Sequence, residues 1–333
     1  MASTVNTAFD EFMRNAVRID PDRNDIAKRS KNYLIGEIRK FPNDGKFLVL
    51  HPDLPNIDYG SFSRKTKTRP LDDIDLMIVL HAQGNWRSSN LTGGYTIHVP
   101  QDGDKQRALC NSGTDTLNSI KIINKFKEYL SKVPSFKKAE IKRNQEAVTL
   151  ELGYEWVYDI VPCFITNPES GSDFFLIPDG NGNWKPTDPR IDKERTTRIN
   201  GKQEVSVLDV VRIMKYWTKR RTASTMGSYF LECLILQYYD SYGTASSKYI
   251  DIELPKMFAY VYNQIDNALN DPKNFQGNLN ILSWDERKSI KDRAQLDYNR
   301  STEARQLETD GKQKESIAKW REIFGSDFPY YTG

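Results

Sequence analysis

Cysteine and histidine are scarce in this chain, three of each among 333 residues. Cys110, Cys163 and Cys233 lie far apart, the last two inside apolar runs, so no disulfide framework is expected. No CxxC pair or mixed Cys/His cluster stands ready for structural zinc, and His51, His81 and His98 form no HExxH motif. A charge excess is missing as well. With 48 Lys and Arg against 45 Asp and Glu, the net charge is +3, so anion binding must come from local arrangement rather than a bulk field. No run approaches 18 apolar residues, and the opening MASTVNTAFDEFMRNAVRID lacks the apolar core of a secretion signal. The expectation is a soluble, cytoplasmic protein with no membrane attachment. Repeats and low-complexity tracts are also lacking. What is present argues against disorder: 17 Tyr, 15 Phe and 6 Trp, in a length that can bury a sizeable core in one large or two intimate domains.

Ile26, Leu34 and Ile38 recur near helical spacing between Pro21 and Pro42, which predicts a helix over 22–40. Phe47–Leu50 and Ile74–Leu80 read as strands, and residues 83–113 as a polar, Gly-rich surface insertion with a short hairpin. Leu117, Ile120, Ile123, Phe126 and Leu130 mark a helix with one apolar stripe. Val148–Leu152 and Trp156–Pro162 are β-rich runs separated by Gly153–Glu155, a hairpin pattern. Gly, Pro and Asp between 178 and 201 suggest a junction. Beyond it Val207–Thr218, Ser228–Tyr242, Leu254–Leu269 and Ser301–Phe324 read as helices. Strands first and helices later favour an α+β fold, divided into residues 1–200 and 201–333.

The informative stretch runs from Gly60 to Leu80. A period of two puts Asp73 and Asp75 on one strand face with Met77 and Val79, while Ile74, Leu76, Ile78 and Leu80 fill the other. Beyond the aspartates both faces are apolar, as in a central strand covered on both sides. Two such carboxylates repel each other and resist desolvation, and a divalent cation relieves both costs. Gly60-Ser61 supplies a complement: a glycine admits backbone N–H groups close to a phosphate, and the hydroxyl adds a donor. Either fragment alone is an ordinary turn or strand end; together, a dozen residues apart, they are far more specific. Asp159, an acid inside the apolar run Trp156–Pro162, is either a buried acid bonded within the fold or a third ligand. Three carboxylates holding two Mg²⁺ ions suit in-line attack of a hydroxyl on a nucleotide α-phosphate.

With these residues the chain resembles the polymerase β-type nucleotidyltransferase superfamily. It is most similar to the bacterial cGAS/DncV-like nucleotidyltransferases (CD-NTases), relatives of oligoadenylate synthase and cyclic GMP-AMP synthase. Arg69–Asp75 and Asp159–Pro162 look like the family core. Trp184–Pro189, Lys215-Tyr216-Trp217 and Trp320 through Pro329 resemble its later landmarks. The resemblance implies a polymerase β-like core with a mixed or antiparallel sheet, followed by an oligoadenylate synthase-like helical domain. It implies Asp73, Asp75 and Asp159 as catalytic ligands of two Mg²⁺ ions, with Mn²⁺ a possible substitute. Gly60 and Ser61 match the phosphate-holding turn, Lys215 a lysine that meets the triphosphate, Ser228 a serine on the phosphates, and Tyr229 a tyrosine stacking on a base. The alternatives are a solvated face with Lys219, Arg220 and Arg221 for Lys215, and core packing for Tyr229.

The activity implied is synthesis of a cyclic di- or trinucleotide second messenger from NTPs, with release of pyrophosphate, in bacterial anti-phage (CBASS) signalling. The product would act on a downstream cyclic-nucleotide effector. A linear, template-independent transferase of the oligoadenylate or tRNA-tailing kind is the alternative. Its long basic strip is not evident in the short clusters Lys137-Lys138…Lys142-Arg143 and Lys215…Arg221. A nucleotide-binding module without catalysis is a third reading, against which the intact acids argue. Lacking a Cys/His cluster, the chain departs from animal cyclic GMP-AMP synthase, and zinc-mediated DNA binding is not expected. Tyr330–Gly333 follow the last helical pattern as an expected mobile tail. Some relatives are coupled through such a glycine by a ubiquitin-ligase-like partner; a frayed end is the alternative for Gly333.

Overall fold

A computed structural model describes residues 2–91, 93–153, 156–167, 173–220, 222–241 and 246–333. Of the expected features, residues 154 and 155 of the Gly153–Glu155 turn, Arg221 and Tyr242 lie outside these. In chain order, α1 (Val5–Phe12) and a π-type turn (Met13–Val17) precede α2 (Pro21–Ile38). β1 (Asn56–Asp58) leads through the single turn α3 (Gly60–Ser63) to β2 (Asp73–Leu80). Next come β3 (Trp86–Ser89), β4 (Tyr95–His98), α4 (Asp104–Arg107) and α5 (Ser119–Lys132). β5 (Glu140–Asn144), β6 (Ala147–Glu151), β7 (Val157–Ile165), β8 (Phe175–Pro178) and β9 (Trp184–Thr187) complete the sheet. The remainder is helical: α6 (Pro189–Gly201), α7 (Val207–Lys219), α8 (Ser228–Ser241), α9 (Ile250–Gln264), α10 (Trp284–Thr309) and α11 (Gln313–Phe324).

The chain forms two compact units that interleave in sequence. A sheet unit takes residues 22–63 and 71–190, and a helical unit takes 1–21, 64–70 and 191–333. In the sheet unit the strand path is β1-β2-β7-β8-β9-β4-β3, with β6 also on β7 and β5 on β6. Among the described residues only β2 and β7 pair in parallel; the other pairs are antiparallel, including the expected β6–β7 and β3–β4 hairpins. Asp73 and Asp75 are half-buried, whereas every later residue of β2 is buried. Met77 and Val79 continue the aspartate face into a core with Val161, Cys163, Phe175 and Ile177. A second layer forms around α5, where Phe47 packs its ring 4.6 Å from Tyr129 and 5.0 Å from Phe126. Phe47–Leu50 is not the strand expected. Phe47 and Leu48 are core residues, and a lone bridge joins Leu50 to Leu80.

The helical unit is built on α7 through α11, with α1 packed into the same core through Val5, Ala8, Phe9 and Phe12. Phe9 meets Trp320 at 4.9 Å and Phe328 at 5.0 Å in edge-to-face contacts. The single helix expected over Ser301–Phe324 is two helices, separated at Gly311, whose φ of +78° ends α10. The tail is not loose: the Thr332 N–H donates to the Ala2 carbonyl at 3.1 Å, and the Arg321 guanidinium lies 3.5 Å from the Tyr330 ring centroid. Among the described residues no helix is long and apolar enough to cross a membrane.

Candidate active site

The parallel pairing of β2 and β7 sets Asp73 opposite Val157 and Asp75 opposite Asp159. Register neighbours in a parallel sheet point to the same side, so all three carboxylates share one face. Strand spacing puts the Asp75 and Asp159 backbones about 4.8 Å apart, with Asp73 about 6.6 Å back along β2. All three are half-buried at the end of a face that is otherwise apolar core. Such placement lowers the local dielectric without sealing the acids from solvent. On β6, Thr149 stands opposite Asp159 and its hydroxyl donates to Oδ1 at 2.7 Å.

Gly60 is shaped to this face. Its φ is +71°, a conformation that disfavours side chains, and a Cβ built there would fall 1.7 Å from Asp75 Oδ2. The backbone therefore touches the Asp75 carboxylate in a way open only to glycine. Ser61 follows in the α3 turn, half-buried. The sheet unit thus brings Asp73, Asp75, Asp159 and Gly60 together, with Ser61 adjoining. Among the described residues, no three His, Cys, Asp or Glu side chains close tightly enough to hold a metal ion unaided. The acids share a face without forming a cage.

Lys215, Ser228 and Tyr229 belong to the helical unit. Ser228 is exposed at the first position of α8. Lys215, on α7, is neither solvated nor part of a basic face. It is 4% exposed and donates to Glu232 Oε2 at 2.8 Å and to the Thr66 carbonyl at 3.2 Å. Arg64 donates to Glu232 Oε1 at 2.6 Å, and the Thr66 hydroxyl to Oε2 at 2.8 Å. Burial alone would raise the Glu232 carboxyl, but Lys215 and Arg64 outweigh it and hold the group down to about 2. Burial lowers the Lys215 ammonium despite Glu232, and the nearby Arg64 and Lys67 charges push it the same way.

Tyr229 is half-buried against the helical core. Its hydroxyl contacts Asp192 Oδ1 at 2.7 Å and Asp271 Oδ1 at 3.1 Å, and the Lys273 ammonium donates to its oxygen. Lys273 lies 4.1 Å and Arg64 5.6 Å from the ring centroid. Burial, then Cys233 and Asp192, push the phenol well above its ordinary value, so it stays protonated. Thr149, Arg64, Thr66, Glu232, Asp192, Asp271 and Lys273 escaped the sequence reading. Only Glu232 left a plain signal: it is an acid inside Phe230–Leu236, the same signature that singled out Asp159.

No family model matches the chain. A probable cyclic nucleotide synthase of Bacillus cereus strain VD146 is 42% identical over 334 residues, covering 99% of this chain and 99% of that protein. The chain belongs to the bacterial CD-NTases. This CD-NTase is a nucleotidyltransferase. Its fold is similar to that of CdnC from E. coli MS115-1 in a structure with ATP: TM-score 0.69, 17% identity, covering 97% of this chain and 98% of that one. CdnC in complex with HORMA-deltaN gives a TM-score of 0.68 at the same identity and coverage. Apo DncV of Vibrio cholerae gives 0.58 at 13% identity, covering 83% of this chain and 69% of that one. These likenesses agree with the α+β class: a mixed sheet followed by helices.

Proposed function

We propose that this CD-NTase joins NTPs into a cyclic di- or trinucleotide second messenger with release of pyrophosphate, in bacterial anti-phage signalling. The carrying observation is the register of Asp75 with Asp159, with Asp73 on the same face and Gly60 against Asp75, in a chain 42% identical to a probable cyclic nucleotide synthase. In this reading a ribose hydroxyl of one NTP attacks the α-phosphorus of another and expels pyrophosphate. The same step within the linear dinucleotide, or within the trinucleotide after one further addition, closes the ring, so that one pyrophosphate leaves for each NTP joined.

The carboxylates fit Mg²⁺ or Mn²⁺. Their oxygens are hard donors, and the open arrangement suits an ion that takes one or two carboxylates plus substrate phosphates rather than an all-protein cage. Two such ions would supply acidification of the attacking hydroxyl and neutralisation of the leaving pyrophosphate. The chain's own work is positional. Asp73, Asp75 and Asp159 offer a fixed, half-buried anionic face, and Gly60-Ser61 present backbone N–H groups and a hydroxyl to phosphate. We assign catalysis to the sheet-bearing half, residues 1–200, and nucleotide holding to 201–333. There Ser228 and Lys215 serve phosphate and Tyr229 stacks on the base. Lys215 can do so only by exchanging Glu232 for phosphate, which Arg64 makes tolerable by continuing to neutralise Glu232. We further propose a cytoplasmic enzyme with a downstream cyclic-nucleotide effector; the HORMA complex of CdnC supports a regulatory protein partner as well.

Incubation with all four NTPs and Mg²⁺, then phosphatase and mass spectrometry, tests the proposal. A phosphatase-resistant product with the mass of a cyclic di- or trinucleotide is expected. Linear products that phosphatase degrades would favour an oligoadenylate-type or tRNA-tailing transferase, and unchanged NTPs would overturn enzymatic activity.

A further inference from the structure

The buried hydroxyl on β6 has no explanation in packing alone. Ala147, Val148, Thr149 and Leu150 are all buried, and Thr149 is 4% exposed. Valine has the same shape and would fill this place without a polar atom. A hydroxyl there is costly unless bonded, and its bond goes to Asp159 Oδ1 at 2.7 Å. Thr149 and Asp159 are register partners on paired strands, so the two backbones fix the donor's place, and a β-branched side chain has few rotamers. The single hydroxyl proton, given to one carboxylate oxygen, sets the rotation of the Asp159 carboxylate about its own bond.

We infer that Thr149 is a positioning residue for the cation site: it orients Asp159 so that this carboxylate can share a divalent ion with Asp75. The inference rests on the proposed role of the three aspartates. Outer partners of ligating carboxylates are worth about 10–100-fold in metal affinity or activity when removed. Thr149→Val keeps the volume and removes only the donor; Thr149→Ser restores the donor.

The test is Mn²⁺ affinity of the full chain, measured by electron paramagnetic resonance with a non-hydrolysable ATP analogue present, with the melting temperature recorded for each variant. Thr149→Val is expected to weaken Mn²⁺ binding about 10–100-fold, and Thr149→Ser to recover most of it. A structural role alone would move the melting temperature and leave Mn²⁺ affinity unchanged. Asp159→Asn separates the two claims. If it abolishes Mn²⁺ binding while Thr149→Val leaves it within about twofold, the positioning role is overturned and the cation site stands. If Asp159→Asn also leaves binding intact, both fall.

Discussion

Asp159 and Glu232 pose the same physical problem, an acid inside an apolar run, and the two units answer it differently. Glu232 lies in the helical core, where Lys215, Arg64 and Thr66 from its own chain satisfy it. Asp159 is half-buried, takes a neutral hydroxyl from Thr149, and stands in register with another acid. The first arrangement is closed by intramolecular cations and stabilises a fold. The second sets two acids in register on a half-buried face, where we propose an outside cation. Burial of an acid therefore says little until its neighbours are known.

The comparison can be broken by removing charge from each cluster in turn. Asp73→Asn with Asp75→Asn should cut NTP turnover more than about 10³-fold while leaving the melting temperature near wild type, since no core volume is lost. Steady-state kinetics beside calorimetry reads both. Retained activity with normal Mg²⁺ dependence would remove the site from β2. Glu232→Gln should act first on the fold, costing about 3–5 kcal/mol of stability in urea titrations, because Lys215 and Arg64 lose their counter-charge. That contribution has a pH window. Glu232 titrates near 2 in the fold against an ordinary 4.5, so its stabilisation is complete above pH 4.5 and lost as pH falls towards 2. The stability gap between wild type and Glu232→Gln should close across that interval.

Gly60→Ala sharpens the comparison at the join between turn and carboxylate. A methyl group cannot share space with Asp75 Oδ2, so the carboxylate must move, and a misplacement of that size is expected to cost about 10²-fold in kcat/KM. Asp75→Asn in the Gly60→Ala background should add little, as expected for two changes at one contact. The smallest effect is at Tyr229. Tyr229→Ala should lose about 1–3 kcal/mol of NTP binding through base stacking, with base preference unchanged in competition assays. Global unfolding instead would make its bonds to Asp192 and Asp271 structural.

The carboxylate face was legible in the sequence because strand periodicity and charge coincide there: Asp73 and Asp75 alternate with buried aliphatics, and Asp159 interrupts Trp156–Pro162. The helices α7 and α8 were equally plain from their apolar spacing. What stayed hidden depends on contacts distant in sequence. That β2 and β7 pair in parallel, bringing Asp75 level with Asp159 across 84 positions, follows from topology and not from either strand. Nor does local sequence reveal that Lys215 turns inward to Glu232; it offers only a lysine for the triphosphate or, with Lys219 and Arg220, a solvated face. β8 and β9 were missed because Pro178, Pro186 and the glycines between them read as punctuation. The N-terminal helix α1 was missed because its partners, Trp320 and Phe328, lie over 300 residues away.

The central claim is that the sheet unit offers an open carboxylate face completed by the nucleotide's own phosphates. Mn²⁺ titration of the wild-type chain, followed by electron paramagnetic resonance with and without a non-hydrolysable ATP analogue, tests it directly. Weak binding alone, at least about tenfold tighter binding with the analogue, and loss of both in Asp73→Asn/Asp75→Asn are the results expected. Tight Mn²⁺ binding without nucleotide, or binding indifferent to the two aspartates, would contradict it.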